Sequence, residues 1–269
     1  MGISIKDVTV SSLSPMMQHY VKTKEEYSDC ILFYRLGDFY EMFFEDAQTV
    51  SRELELTLTG KDCGMEERAP MCGVPFHAAE VYINRLISKG YKVAVCEQVE
   101  DPKQAKGIVK REVIRVVTPG TTLNTQALDE TKNNYIMSVV YLSNRFGIAI
   151  ADVTTGDFMV TEVENIRKLS DEIYKFSPAE LLCNEAFCMC GADMDELRNR
   201  LNISITTLEN WYFDDELCAR TLKEHFHVGT LEGLGLKDYA CAVIAAGALF
   251  SYLLETQKTS LEHMRAITP

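Results

Sequence analysis

Gly37-Asp38-Phe39-Tyr40-Glu41 places a carboxylate, two aromatic rings and a second carboxylate in one short run. The first chemistry such a run offers is structural. Asp38 at a helix N-cap with Glu41 three residues later resembles a capping box, in which the second carboxylate reaches back to a free backbone N–H. Phe39 then falls on one stripe with Phe43, Ala47, Val50 and Leu54, at helical spacing, which predicts a core position. A second chemistry is phosphate binding. Lys103, Lys106, Lys110, Arg111 and Arg115 crowd one short stretch, and clustered basic side chains are what a phosphate backbone requires. Metal and nucleotide chemistry find less support. The chain has nine cysteines, but no CxxC pair, and Cys188 and Cys190 are too close together for a zinc ligand pair. Reduced thiols are the expectation. Gly60-Lys61-Asp62 lacks both the earlier glycine and the hydroxyl of a phosphate-binding loop.

The charge distribution decides where an anionic partner could sit. Over 269 residues the net charge is −13, which as a whole opposes nucleic acid. Residues 1–118 carry 15 basic and 18 acidic side chains, whereas residues 119–269 carry 12 and 22. Any nucleic-acid contact therefore belongs in the first part. No charged segment followed by an apolar one opens the sequence, so no signal peptide is expected.

Those side chains need elements to hold them. Ser14-Pro15 starts a helix that runs to about residue 27. Residues 30–34 form a buried apolar strand, and Gly37-Asp38 punctuates before the helix assigned to Phe39 onward. Residues 56–59 alternate like a strand, and 60–68 read as a loop. A helix over residues 78–89 stops at Gly90, and strands follow at 93–96 and 113–117. Interleaved strands and helices predict an α/β layer domain ending near residue 118. A Thr-, Asn- and Gln-rich linker is expected over residues 119–134. Strands at 135–142, 146–153 and 157–161, joined by Ser143-Asn144-Arg145 and Thr155-Gly156, suit antiparallel hairpins. They open a second α/β domain. The last helix, near residues 237–257, has no charge between Tyr239 and Leu254. It is short for a membrane span, and an all-round apolar helix is normally buried. The expectation is that it packs against something outside this stretch of chain.

Ser14-Pro15-Met16-Met17-Gln18, Gly37-Asp38-Phe39-Tyr40-Glu41, Pro70-Met71-Cys72-Gly73-Val74-Pro75-Phe76-His77-Ala78, Cys96-Glu97-Gln98, Thr118-Pro119-Gly120-Thr121, Ser177-Pro178-Ala179-Glu180-Leu181-Leu182 and Thr256-Gln257-Lys258 appear in that order. Together they resemble the bacterial MutS-type DNA mismatch repair proteins. Residues 183–230 match poorly.

The resemblance implies an α/β class with two α/β domains: a mixed-sheet mismatch-recognition domain over 1–118 and an RNase H-like connector over 135–235. The long apolar helix would open a core helical domain at 236–269. It implies that Phe39 wedges at a mispair in double-stranded DNA and that Glu41 hydrogen-bonds the displaced base. Lys61, Lys106, Arg111 and Thr118 fall where the family contacts the DNA backbone. MutL would dock on the connector. ATP and magnesium, ATPase activity and homodimerisation belong by resemblance to a C-terminal portion, so this stretch is expected to be monomeric, non-enzymatic and cofactor-free. A cytoplasmic, nucleoid-associated location in a bacterium and no membrane partner complete the expectation. Two rival readings concern the second domain. Asp152-Val153-Thr154-Thr155-Gly156 has the Asp-x-x-x-Gly look of the first strand of an RNase H-like nuclease, with Glu162, Glu164 and Asp171 as further acids for two metals, or Asp152 simply caps a strand-to-turn junction. The domain could also be purely a protein-interaction module.

Overall fold

Ser14 caps α1 (Pro15–Glu26) by accepting from Met17 N at 3.4 Å, with Pro15 in the first turn, where a missing N–H is tolerated. The structure, a computed structural model, describes residues 2–122, 133–258 and 261–269. It divides into two units, Met1–Thr118 and Pro119–Pro269. In the first unit α1 is followed by β1 (Ile31–Leu36), β2 (Phe39–Phe43), α2 (Phe44–Leu54), β3 (Thr59–Lys61), β4 (Ala69–Pro75), α3 (Ala79–Ser88), β5 (Val93–Gln98) and β6 (Arg111–Val117). The strands make one mixed sheet in the order β3-β4-β2-β1-β5-β6. β1 and β5 run parallel and the other neighbours antiparallel.

The helix expected from Phe39 onward is corrected at its start. Residues Phe39–Phe43 form β2, and α2 begins only at Phe44. Gly37 and Asp38 are a two-residue hairpin loop between paired Leu36 and Phe39. Gly37 takes φ +57° while Asp38 does not enter the left-handed region, the glycine-first pattern of a type II′ hairpin turn. Asp38 and Glu41 therefore form no capping box. β2 lies between β1 and β4, and its side chains alternate. Tyr40 and Met42 join Phe33, Cys72, Val74 and Val95 under α2 and α3. Phe43 joins Leu32, Tyr34, Ala94 and Cys96 on the opposite face, under Met17 and Tyr20 of α1. The strand expected over 56–59 is shifted to Thr59–Lys61, opposite Met71, Pro70 and Ala69 of β4.

The second unit runs β7 (Tyr135–Leu142), β8 (Arg145–Asp152), β9 (Asp157–Val163), α4 (Ile166–Phe176), β10 (Glu180–Cys183), α5 (Glu185–Cys188), β11 (Ser204–Thr207), α6 (Asp215–Phe226) and α7 (Ala240–Gln257). Its sheet has the order β11-β10-β7-β8-β9. The first three strands form an antiparallel meander, while β10 and β11 join parallel to β7. Two mixed sheets with helices give the α/β class expected. Ser143 and Asn144 both adopt positive φ, 51° and 60°, as a type I′ hairpin turn demands. One face packs under α6 and α7, with Ile136, Val140, Ala149 and Phe158. The other packs under α4 and α5, with Met137, Val139, Ile148 and Leu181. Coverage on both faces explains why these strands are apolar nearly throughout.

Two expectations about connectivity change. Residues 123–132 of the expected linker lie outside the described residues, but its beginning is docked on the second unit. Gly120 N donates to Glu180 Oε2 at 3.1 Å, and Tyr252 of α7 donates to Glu180 Oε1 at 2.7 Å. A Cβ at Gly120 would lie 2.8 Å from that of Ile136, so the segment is fitted rather than loose. Helix α7 needs no partner outside the chain. It lies on β7, β8 and α6 and is buried over most of its length. By length and composition alone it could cross a membrane, but its apolar surface is enclosed within its own unit. The close fit requires glycine twice. A Cβ at Gly147 would stand 2.1 Å from Cys241 O, and one at Gly247 2.3 Å from Cys218 Cβ. The start of α7 is capped from β9, because Glu162 Oε1 accepts from Cys241 N at 2.8 Å and Ala242 N at 3.1 Å, two of the N–H groups a helix start leaves unmade.

Candidate nucleic-acid interface

Phe39 and Glu41 point to the same face of β2, two residues apart. Phe39 sits opposite Leu36 and Pro75, and Glu41 opposite Tyr34 and Gly73, where Gly73 offers no side chain. α1 shields the Phe43 end of this face: Phe43 is 1% exposed, but Phe39 is 46% exposed. An aromatic ring thus stands out at the end of the face that its helix does not reach. Glu41 is half-buried and accepts from Lys61 Nζ at 2.8 Å. Lys61 comes from β3, beyond β4. A cation this close offsets the repulsion a carboxylate would meet beside phosphates.

The hairpin tip is braced by residues for which no role is expected from sequence. Arg35 Nη1 lies 3.3 Å from both Glu97 carboxylate oxygens. Its Nε donates to Gly37 O, and its guanidinium covers the Phe76 ring at 3.8 Å. Phe76 N donates to Asp38 O at 2.9 Å. The Tyr40 hydroxyl donates to Glu97, and burial, then that hydrogen bond, pushes its pKa up to about 12. Phe76 and Glu97 both lie in motifs visible in the sequence, but their nearness to Phe39 depends on strand pairing across distant residues.

The expected backbone-contact residues separate. Lys106 is exposed in the β5–β6 loop with no ion pair among the described residues. Lys61 is engaged by Glu41. Arg111 is buried, donating to Arg35 O at 2.7 Å and Val109 O at 2.9 Å, with its guanidinium 5.2 Å from the centre of the Tyr34 ring. Thr118 is wholly buried. In this conformation Arg111 works as an internal tie, and neither it nor Thr118 presents itself to a phosphate. Lys110 pairs with Glu112 at 2.8 Å, and Arg115 with Glu80.

The acids of the second unit do not converge. Asp152 is buried, and its Oδ1 accepts from Thr154 N at 2.9 Å, Thr155 N at 3.4 Å and the Thr154 hydroxyl. Its Oδ2 accepts from Asn134 N at 3.2 Å. This is the turn-capping reading, not a metal ligand awaiting a cation. Glu162 caps α7, Glu164 pairs with Lys168 at 3.2 Å, and Asp171 is exposed. Among the described residues no three His, Cys, Asp or Glu side chains gather as a metal site would need.

Fold and site together define a two-domain α/β chain whose first domain leaves an aromatic ring exposed beside a half-buried carboxylate. Residues 14–126 match the family model for MutS domain I, and residues 134–265 that for MutS domain II. The chain is 65% identical over 260 residues to the DNA mismatch repair protein MutS of Lachnoclostridium phytofermentans, covering 97% of this chain and 28% of that protein. It is 54% identical to the MutS of Ruminiclostridium cellulolyticum and 52% identical to that of Acetivibrio thermocellus, each match covering 95% of this chain and 29% of the relative. The chain belongs to the MutS family of DNA mismatch repair proteins. It spans under a third of the length of these relatives.

Proposed function

We propose that this chain reads mispaired DNA, with Phe39 entering the base stack at the mispair from the minor groove and Glu41 hydrogen-bonding the displaced base. The observation that carries this is an exposed Phe39 sharing one face of β2 with Glu41, where α1 leaves the sheet uncovered. A wedge from the minor groove kinks the duplex, and unstacking costs a few kcal/mol. The cost is lower where a mispair already stacks poorly, so the ring senses deformability and not base identity. That suits a reader that must accept many different errors. The braced hairpin supports the wedge, since Arg35 and Phe76 hold the tip that turns directly into Phe39. Lys106, and Lys61 once it leaves Glu41, would meet phosphates and set register without reading sequence. The second unit would relay the bound state to an ATPase portion holding ATP and magnesium, and to MutL, with homodimerisation in the longer protein.

The test is binding of this chain to mispaired and fully paired duplexes of one length. The wild type should prefer the mispaired duplex. Phe39→Ala should abolish the preference and leave the melting temperature nearly unchanged. A Phe39→Ala protein that still discriminates would overturn the wedge. Because few phosphate contacts are on offer, binding should be weak; nanomolar affinity at physiological salt would refute that part.

A further inference from the structure

Cys183 ends β10 and Cys188 ends α5, and their sulfurs lie 3.9 Å apart. The Thr207 hydroxyl, at the end of β11, touches both, at 3.8 Å and 3.4 Å. The two thiols differ in access, for Cys183 is buried and Cys188 exposed. Their approach is held from several sides. Asn184 follows Cys183 and ties itself to Tyr141 in both directions, accepting from Tyr141 N at 3.1 Å and donating to Tyr141 O at 3.0 Å. Phe187 is fully buried in the core under α5, which fixes the short helix that carries Cys188. Beyond it the chain turns outward, with Met189 75% exposed, leaving Cys188 room to rotate. A disulfide is about 2.05 Å long, so closure asks the sulfurs to approach by about 1.9 Å, the scale of a side-chain rotation.

We propose that Cys183 and Cys188 are an oxidisable dithiol, a modification site that takes a low-molecular-weight disulfide and closes to an intramolecular disulfide. Cys188 is the sulfur that meets the oxidant. Its thiolate attacks one sulfur of the small disulfide, which breaks, leaving a mixed disulfide and releasing the first small thiol. Cys183 then attacks the Cys188 sulfur, expelling the second small thiol. The protein dithiol loses two electrons, the small disulfide gains them, and the two protons leave on the released thiols. Burial, then the adjacent Cys188 thiol, pushes Cys183 up to about 12, with the Arg198 cation pulling the other way. Cys188, the exposed thiol, is therefore the attacking sulfur, and Cys183, the buried one, resolves the mixed disulfide. Nothing in this site depends on the DNA reading of the first unit.

The experiment treats the folded chain with oxidised glutathione, traps remaining thiols by alkylation and maps the peptides by mass spectrometry. The wild type should lose two alkylatable thiols, with a link joining Cys183 to Cys188 and no retained glutathione. Cys190→Ser should keep that link. Cys188→Ser, an exposed substitution that leaves the core intact, should abolish it, and Cys183→Ala should stop at a glutathione adduct on Cys188. A wild type that retains the adduct, or a link joining Cys188 to Cys190, overturns the proposal.

Discussion

Glu41 in the first unit and Asp152 in the second are both carboxylates at a strand of a mixed sheet, and both have partners. Glu41 answers to a side-chain ammonium on a long stem, which can swing away. Asp152 answers to backbone N–H groups of its own turn and of Asn134, which cannot leave without unfolding the turn. The sheets around them differ in the same sense. Helices cover both faces of the second sheet, whereas α1 leaves one end of a face open in the first. A polar group beside an open face, with a detachable partner, is available to a ligand; one enclosed and held by backbone belongs to the fold. Asp152 and Glu162 fall into the second class, and Glu41 beside the exposed Phe39 into the first.

The sharpest test of this contrast lies within β2 itself. Phe43→Ala, in the covered part of the face, should lose about 3–5 kcal/mol, whereas Phe39→Ala should stay within about 0.5 kcal/mol, as surface substitutions do. Urea unfolding measures both, and equal losses would erase the distinction between open and covered ends. Next in size, Asp152→Ala strands several N–H groups and should cost about 1.5–3 kcal/mol, against about 0–1 kcal/mol for Glu41→Ala. A larger loss at Glu41 would mean that it, too, is structural. Glu162→Ala removes the cap of α7 and should cost about 1 kcal/mol, read from the thermal midpoint.

The smallest effect is a pH dependence in the first unit. Burial, then the charges of Arg111 and Lys22, hold the His19 imidazole below its ordinary 6.5, while its Nδ1 lies 2.8 Å from the Tyr34 hydroxyl. The unfolded chain therefore takes up this proton at a higher pH than the folded one. The contribution is complete above 6.5 and is lost as pH falls from there through the lowered folded value. Urea midpoints measured on either side of 6.5 should diverge less in His19→Gln than in the wild type. An unchanged divergence would assign it to other groups.

Much of the fold was legible because its signals are local. Ser14-Pro15 announces α1, and the two-residue loop at Ser143-Asn144 announces the β7–β8 hairpin. Phe39 was misread for a physical reason. Phe39, Phe43 and Ala47 keep helical spacing across the junction of a strand and a helix, and β2 is a strand because it pairs with β1 through the Gly37-Asp38 turn and with β4 from far along the chain. The cover of α7 was hidden in the same way, since the surfaces that bury it come from β7, β8 and α6. Of the candidate site, the resemblance picked out Phe39 and Glu41. It could not tell that Arg111 turns inward while Lys106 stays outside, because a run of basic residues says nothing about which one finds carbonyls and a ring within reach. Arg35 and Phe76 meet only once the strands have paired.

Glu180 gives the second unit a mechanical property. Its carboxylate grips Gly120, at the point where the chain enters the unit, and also Tyr252 on α7. Tension arriving along the chain at Pro119 therefore reaches β10, where Glu180 stands, and α7 together.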